Sequence, residues 1–438
     1  MTTLPKGPGK LALLRMMFDL TYTLADMARD YGDPFTLPTA FGPMVVAVSP
    51  EGNKEIFSAD PDIFSASAAD SFGRVIRNSV LVTSGEEHRR QRRLLTPPFH
   101  GQRMRSYGNL MKTAAKEWTE RLAPGNPFQM IYTTQAITLD VIIYAVFGVD
   151  HGQRVEQFRT DLLDVLGSFT PLIFLRPLQH EFGGIGPWAR FQRGFRKLAD
   201  HVAALSAEYR QKLDGREDIL SLLLSTKDEE GKGLSAEEIL DQLVTIVFAG
   251  HETTAVMLAW AFYLLHKYPD QLARLHEEID PLPLETEPEA IAKLPFLEAV
   301  INETLRLYPP VHVIHRKLKK PMRLSGCELP AGTIVAAGAF ATHRLSSIYP
   351  EPDKFVPQRF LHRTYSPFEF LPFGGGARRC LGAAFATYEM KQVLFVMLKQ
   401  KRFELLETGE VRFAHRAGTV GPKGGIRMMV AREQKISS

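Results

Sequence analysis

The chain has 438 residues, 45% of them hydrophobic and 23% charged, with a formal net charge of +4. This excludes a disordered or low-complexity protein, and the charge excess is too small to argue for nucleic-acid binding. Two cysteines, Cys327 and Cys380, do not make a disulfide framework and fit a reducing compartment, so a cytoplasmic protein is expected.

In chain order, "MTTLPKGPGKLALLRMM" lacks a long apolar stretch and a small-residue cleavage site, so neither a signal peptide nor a membrane anchor is expected. "YGDPFTLPTAFGPMVVAVS", 31–49, reads as turns around short strands. Helical patterns dominate from about 86 to 310. Within them, "LSAEEILDQL" opens a long helix with a capping box, Ser235 and Glu238. Its apolar window 243–265 is long enough to cross a bilayer. His251 and Glu252 would then sit at the midplane, which is costly, so a buried helix ending near His266 is predicted. A second β-like stretch, about 311–345, turns at Pro330 and Gly332. The last long helix starts near Cys380, and the chain is strand-like again from about 403. No internal repeat or linker is present. The predicted fold is mainly α with small discontinuous β-sheets, one domain over 1–438. Its α-rich body covers about 86–310 and 380–400, and its β portion about 34–50, 311–345 and 403–432.

Four clusters carry candidate chemistry. In "FLPFGGGARRCLGAAFATYEMKQ", 370–392, Cys380 stands just before a helical run, whose positive end favours a thiolate. Gly374, Gly375 and Gly376 let the loop turn tightly against something flat, and Gly382 clears further space. An axial cysteine for a haem iron needs such a setting; the alternative is an inert buried cysteine. In "AGHETT", 249–254, Gly250, Glu252, Thr253 and Thr254 place a gap, an acid and hydroxyls inside a buried helix. That suits proton delivery to a bound small molecule, or a kink satisfied by water. In "NETLRLYPP", Glu303 and Arg306 share a helix face, and Arg359 of "PQRF" could complete a buried triad; a surface ion pair is the alternative. In "GEEHRRQRR", 85–93, His88 and Arg92 share one face, pointing inward to carboxylates. Arg89, Arg90 and Arg93 lie elsewhere, outward toward an acidic partner, unless the helix is simply solvated.

Together these clusters resemble the cytochrome P450 family over essentially the whole chain. "FGGGARRCLG", 373–382, matches its haem-binding signature at Phe373, Gly374, Gly376, Arg378, Cys380 and Gly382. "AGHETT" looks like its oxygen-activating motif, "ETLR" like its Glu-x-x-Arg motif, and "PQRF" like its Pro-x-Arg-Phe segment. The resemblance implies haem b with Cys380 as the proximal thiolate ligand and Phe373 beside the sulfur. It implies His88, Arg92, Arg316 and Arg378 as propionate partners; many membrane-bound relatives have tryptophan where this chain has His88. Glu303, Arg306 and Arg359 would form a structural triad, and Glu252 and Thr253 would carry protons toward dioxygen. Family members driven by peroxide, or that only rearrange lipids, often lack that pair. The resemblance therefore implies a monooxygenase inserting one oxygen atom, by hydroxylation or epoxidation. Electrons would come from a separate ferredoxin or flavodoxin with an NAD(P)H-dependent reductase, docked where Arg89, Arg90, Arg93 and Arg379 add positive charge. "LLTPPFHGQRM" and "EFLPFGGGARRC" are similar to a soluble, monomeric bacterial branch from cyanobacteria and myxobacteria. Its members oxidise fatty acids, alkanes and terpenoids.

By the same resemblance, an apolar substrate would meet segments 65–82 and 165–195, Val247, Phe248 and Ala249, the run Val311–Ile314 including Val313, and Thr419 and Val420. Gly183, Gly184 and Gly186 would hinge a mobile lid, unless that loop is ordinary core packing. Arg74 and Arg77 could meet a substrate carboxylate. The competing functions are a peroxide-driven or isomerising haem-thiolate enzyme and a non-catalytic haem sensor.

Overall fold

Capping and proline placement set many of the helix ends. In this computed structural model, residues 4–9, 20–39, 42–66, 75–99, 101, 103–149, 152–168, 179–180, 183–213, 215–416 and 419–432 are described. The helices longer than one turn are α1 (Leu20–Tyr31), α2 (Pro50–Ser58), α3 (Gly85–Leu95), α4 (Arg103–Glu120), α5 (Met130–Phe147) and α6 (Gln153–Ser168). They continue with α7 (Pro187–Tyr209), α8 (Ile219–Ser225), α9 (Ala236–Lys267), α10 (Pro269–Ile279), α11 (Pro295–Leu307) and α12 (Ala383–Gln400). Proline occupies the first turn of α2, α7, α10 and α11, where its missing N–H has no helical partner to lose. At α9, Ser235 Oγ accepts from Glu238 N and the Glu238 carboxylate accepts from Ser235 N, the predicted capping box.

The strands are short: β1 (Phe35–Thr39), β2 (Gly42–Ala47), β3 (Phe64–Ser65), β4 (Pro127–Gln129), β5 (Ile314–Leu318) and β6 (Met322–Leu324). Then follow β7 (Cys327–Leu329), β8 (Ile334–Ala337), β9 (Phe403–Leu405), β10 (Phe413–Arg416), β11 (Thr419–Pro422) and β12 (Arg427–Val430). The largest sheet runs β1-β2-β8-β5-β3, with β2 and β8 parallel and Arg316 opposite Val335 in the β5–β8 pair. β4-β12-β9, β6-β7 and β10-β11 form separate small sheets. The fold is thus mainly helical with small separate sheets, as composition and periodicity predict. β3 and β4 escape the sequence because two or three residues carry no alternation.

Two helices, α5 and α9, are long and apolar enough to cross a membrane by length and composition. Their apolar windows are 78% and 67% buried inside the protein, which makes them core helices. They lie against each other: Thr134 Oγ1 donates to Ala255 O at 2.9 Å, and Thr138 Oγ1 to His251 O at 3.2 Å. Gly250 lets Ile142 approach, since a Cβ there would lie 3.1 Å from Ile142 Cδ1. Every α9 residue from Thr254 to Leu265 is buried. Each large apolar side chain so buried stabilises by about 1.5–3 kcal/mol.

Candidate active site

The Cys380 loop is shaped by its glycines. Gly374 and Gly376 adopt φ of 66° and 64°, the left-handed region that suits glycine. A Cβ on Gly376 would meet Phe57 O at 2.3 Å, so the loop packs on the end of α2. Cys380 N donates to Phe373 O at 2.9 Å and Arg379 N to Gly376 O at 3.0 Å, closing the turn. Gly382 caps α12, with nothing within 4 Å of where its Cβ would lie. The Cys380 side chain is uncovered, although α12, which starts three residues later, is packed. Although the sulfur itself is uncovered, the dense protein around it disfavours the charged form and pushes the thiol up, against the pull of Gly382 N–H, Arg379 and Arg92.

Four basic side chains lie near this loop. His88 and Arg92 come from α3, Arg316 from β5 and Arg378 from the loop itself. Their guanidinium groups are held by backbone dipoles. Arg316 Nη2 donates to Gly375 O at 2.7 Å, Arg92 Nη1 to Arg379 O at 2.8 Å, and Arg378 to the carbonyls of Val80, Leu81 and Thr83. None of the three arginines pairs with a carboxylate among the described residues. Burial, then the neighbouring charge of Arg378, lowers Arg316 to about 10. Burial, then Arg378, Arg92 and Arg316, lowers His88 to about 4. Half-buried cations without a counter-charge are costly, and they fit the two carboxylates at the edge of a haem. The donor set therefore suits that cofactor: a free sulfur, a glycine-rich loop for close approach, and cations for the anionic edge.

The middle of α9 supplies the third part. Ile246, Ala249, Gly250 and Thr253 recur at helical spacing and are incompletely covered; Ala249 is exposed inside an otherwise buried helix. Thr253 Oγ1 donates to Ala249 O at 2.7 Å. The Glu252 carboxylate accepts from Gln135 Nε2 at 2.7 Å. Next to it, His251 Nδ1 lies 2.8 Å from Thr138 Oγ1, and burial lowers this imidazole to about 4. The buried Thr254 hydroxyl, unlike that of Thr253, makes no hydrogen bond among the described residues.

Glu303 and Arg306 come together as their spacing suggested, and Arg359 joins them, a contact that spacing alone does not show. Glu303 lies 2.7 Å from Arg306 Nε and 3.0 Å from Arg359 Nε, and Glu303 and Arg306 are fully buried. Arg306 also reaches the carbonyls of His343, Pro352 and Lys354. Sequence reasoning missed the polar lacing of 78–83. Asn78 N donates to Asp241 and Val80 N to Gln242, while Gln242 and Gln91 donate to Asn78 O. Those partners lie 13 to 164 residues apart, beyond any local signal.

Several expectations are corrected. Val247 is 2% exposed and faces the core, about 200° round the helix from Ala249, so it does not line the open stripe. Phe248 is half-buried. Val311 is exposed and Val313 half-buried; Thr419 and Val420 are buried, with Val420 N bonded to Pro310 O, which ties β11 to the chain beside Val311. Arg90 does not face outward: it pairs with Asp228 at 2.8 Å and Glu238 at 3.0 Å, joining α3 to the start of α9. Arg89 and Arg93 are exposed but share Glu86. Arg77 is exposed and its charge acts on Asp241; Arg74 lies outside the described residues. In the segment 165–195, residues 165–168 and 187–195 are helical, since α6 reaches Ser168 and α7 starts at Pro187, while 169–178 and 181–182 lie outside the described residues. Gly183, Gly184 and Gly186 do take positive φ between these helices.

The family model for cytochrome P450 matches residues 6–428. The protein designated cytochrome P450 137 of Mycobacterium tuberculosis is 34% identical over 411 residues, covering 92% of this chain and 84% of its own length. Cytochrome P450 138 of Mycobacterium bovis is 31% identical over 431 residues, covering 98% and 95%. Among solved structures, the retinoic acid-bound cyanobacterial CYP120A1 superposes with a TM-score of 0.85 at 26% identity, covering 98% of this chain and 99% of that one.

Proposed function

Because the chain belongs to the cytochrome P450 family and is therefore a haem-thiolate monooxygenase, we propose that Cys380 is the ligand of its haem b iron. His88, Arg92, Arg316 and Arg378 would hold the two propionates, with Phe373, Gly374 and Gly382 lining the loop. Residues 1–438 would act as one unit, since α3, β5, α9 and the cysteine loop all contribute to one site. When bound, the haem supplies an electron-rich thiolate iron at which dioxygen is reductively split.

The chain's own residues handle protons and water. Glu252 takes a proton and passes it to the Thr253 hydroxyl, which passes its own proton on; this is general acid catalysis by a positioned pair. At rest the Thr253 hydroxyl is occupied by Ala249 O. A change of rotamer frees it. Phe248, Ala249, Val311 and Val313 offer apolar surface that orients an apolar substrate and excludes water. The substrate class is a fatty acid, terpenoid or similar secondary metabolite, hydroxylated or epoxidised. The terpenoid acid bound by the superposed cyanobacterial protein supports this.

Electrons come from a ferredoxin or flavodoxin and its NAD(P)H-dependent reductase, in the cytoplasm. A concavity of about 590 Å³ beside Cys380, lined by Arg92, Phe373, Arg379, Tyr388 and Lys391, suits a small acidic partner. Arg379 is exposed and makes no ion pair among the described residues.

The observation that carries this reading is the uncovered Cys380 beside cations that lack carboxylates. The test is the reduced, carbon monoxide-bound spectrum of wild type and Cys380→Ser. Wild type should show the red-shifted Soret band of thiolate ligation, and the variant should lose it. A wild type that binds no haem, or a variant that keeps the band, overturns the assignment.

A further inference from the structure

Between the Glu303–Arg306–Arg359 group and the Cys380 loop lies a side chain that touches both. His343 follows the helical turn Ala339–Thr342 and is fully buried. It is joined to Arg306 twice: Arg306 Nη1 donates to His343 O at 2.8 Å, and His343 Nδ1 lies 3.1 Å from Arg306 O. On the other side of the ring, Leu371 N donates to His343 Nε2 at 3.0 Å.

These bonds settle the state of the ring. Nε2 accepts, so it carries no proton; Nδ1 faces a carbonyl, so it carries the one proton of a neutral imidazole and donates it there. Burial, then the charge of Arg306, lowers this imidazole to about 3, which keeps the acceptor available.

Leu371 is where the cysteine loop begins to turn. Its carbonyl accepts from Gly374 N at 3.0 Å, and Phe373 O accepts from Cys380 N at 2.9 Å. Pro372 between them has no N–H to anchor. Just upstream, Asn53 Nδ2 donates to Phe368 O and Tyr349 Oη to Glu369 O, each at 3.1 Å. Those two grip carbonyls before the loop, whereas His343 grips the N–H of the residue from which the loop turns. Leu371 is itself buried, so losing this acceptor would strand its N–H.

We propose that His343 is a positioning residue for the cysteine loop: its neutral ring accepts from Leu371 N–H and passes to that loop the placement fixed at Arg306. The inference rests on the reading of Cys380 as the haem ligand given above.

The test uses variants that keep different ends of the ring's polar reach. His343→Gln puts an amide oxygen near the place of Nε2 and keeps the acceptor. His343→Asn keeps a polar group only near Nδ1, and His343→Phe keeps ring volume and neither. The first readout is hydrogen exchange at the Leu371 amide, in reduced, carbon monoxide-bound protein carrying isotope-labelled leucine. Exchange should be about 10-fold faster in His343→Asn and His343→Phe than in wild type, and close to wild type in His343→Gln. The second is the decay of the red-shifted carbon monoxide band in urea too dilute to unfold wild type. It should be about 10-fold faster in His343→Asn, with His343→Gln following wild type. If His343→Phe loads no haem, His343→Asn carries the comparison. Leu371 exchange unchanged in the variants without the acceptor overturns the proposal. So does faster exchange with a band as durable as wild type, which would make the bond local. His343→Gln and His343→Asn failing alike in both readouts reduces His343 to packing and overturns it too. A wild type without the red-shifted band overturns the reading of Cys380 instead, and the exchange rates still decide whether His343 holds the loop.

Discussion

Two groups of charged side chains in this protein are built on opposite plans. In the Glu303–Arg306–Arg359 group, one carboxylate answers two guanidinium groups, and backbone carbonyls take the remaining Arg306 donors. In the His88–Arg92–Arg316–Arg378 group, carbonyl oxygens, and for Arg316 also the rings of Phe57 and Phe64, hold the arginines in place without a carboxylate among the described residues. Carbonyls orient a cation without neutralising it. The first group is a closed joint; the second leaves its positive charge unanswered among the described residues. Burial makes the difference matter, since an unmatched buried charge is costly while a matched one is merely tolerated.

The largest effect should come from opening the closed joint. Glu303→Gln leaves Arg306 and Arg359 without their anion, a loss of about 3–5 kcal/mol against a typical total of about 5–15. Thermal melting and soluble yield should show a protein near collapse, and an unchanged melting temperature would break the comparison. Next, Arg316→Met should separate the two plans. Removing an unmatched cation should leave the apoprotein's melting temperature unchanged or slightly higher, while haem is lost about 10-fold faster, roughly 1–3 kcal/mol of retention. Equal destabilisation with and without haem would make Arg316 a structural joint instead.

A pH titration gives a smaller effect. His88 is lowered from 6.5 to about 4, so an unfolded chain takes up the proton first as pH falls. Its contribution to apoprotein stability is complete above about pH 6.5 and is lost down to about pH 4, up to roughly 2–3 kcal/mol. His251, His266 and His343 are lowered too, so the acid slope is shared. His88→Gln should therefore reduce the slope by one proton rather than abolish it. Haem should flatten the slope as well, since carboxylates beside His88 favour its charged form. A slope indifferent to haem would separate His88 from the anion site. The smallest effect lies at the surface. Arg379→Glu should slow reduction by an acidic ferredoxin several-fold and weaken its salt dependence; a variant whose rates equal those of wild type at both low and high salt would remove Arg379 from the docking face.

The parts legible in the sequence were those written in short spacings. The capping box at Ser235, the Glu303–Arg306 pair and the glycine turn before Cys380 each sit within a few residues, and each appears as read. The parts that were not legible depend on distant chain. Nothing around Arg90 says that Asp228 will meet it rather than solvent, and nothing around Glu252 names Gln135 as its partner. Val247 shows a subtler limit. It neighbours the open stripe in sequence, but a helix turns it into the core, so a run of consecutive residues cannot line one cavity. The segment 187–195 reads in the sequence as part of a loop, whereas Pro187 begins a helix.

The lacing of 78–83 has a consequence for how such a protein can diversify. Asn78 N and O, Val80 N and the carbonyls of Val80, Leu81 and Thr83 are all claimed by side chains from α9, α3 or the cysteine loop. The main chain is thus anchored independently of what Val80 and Leu81 carry. Half-buried side chains on a fixed rail can be exchanged without moving the rail. Both side chains pack against the main core, so exchange at those two positions should cost packing without unfastening the main chain, and a library built there should yield many folded proteins and few that fail to assemble.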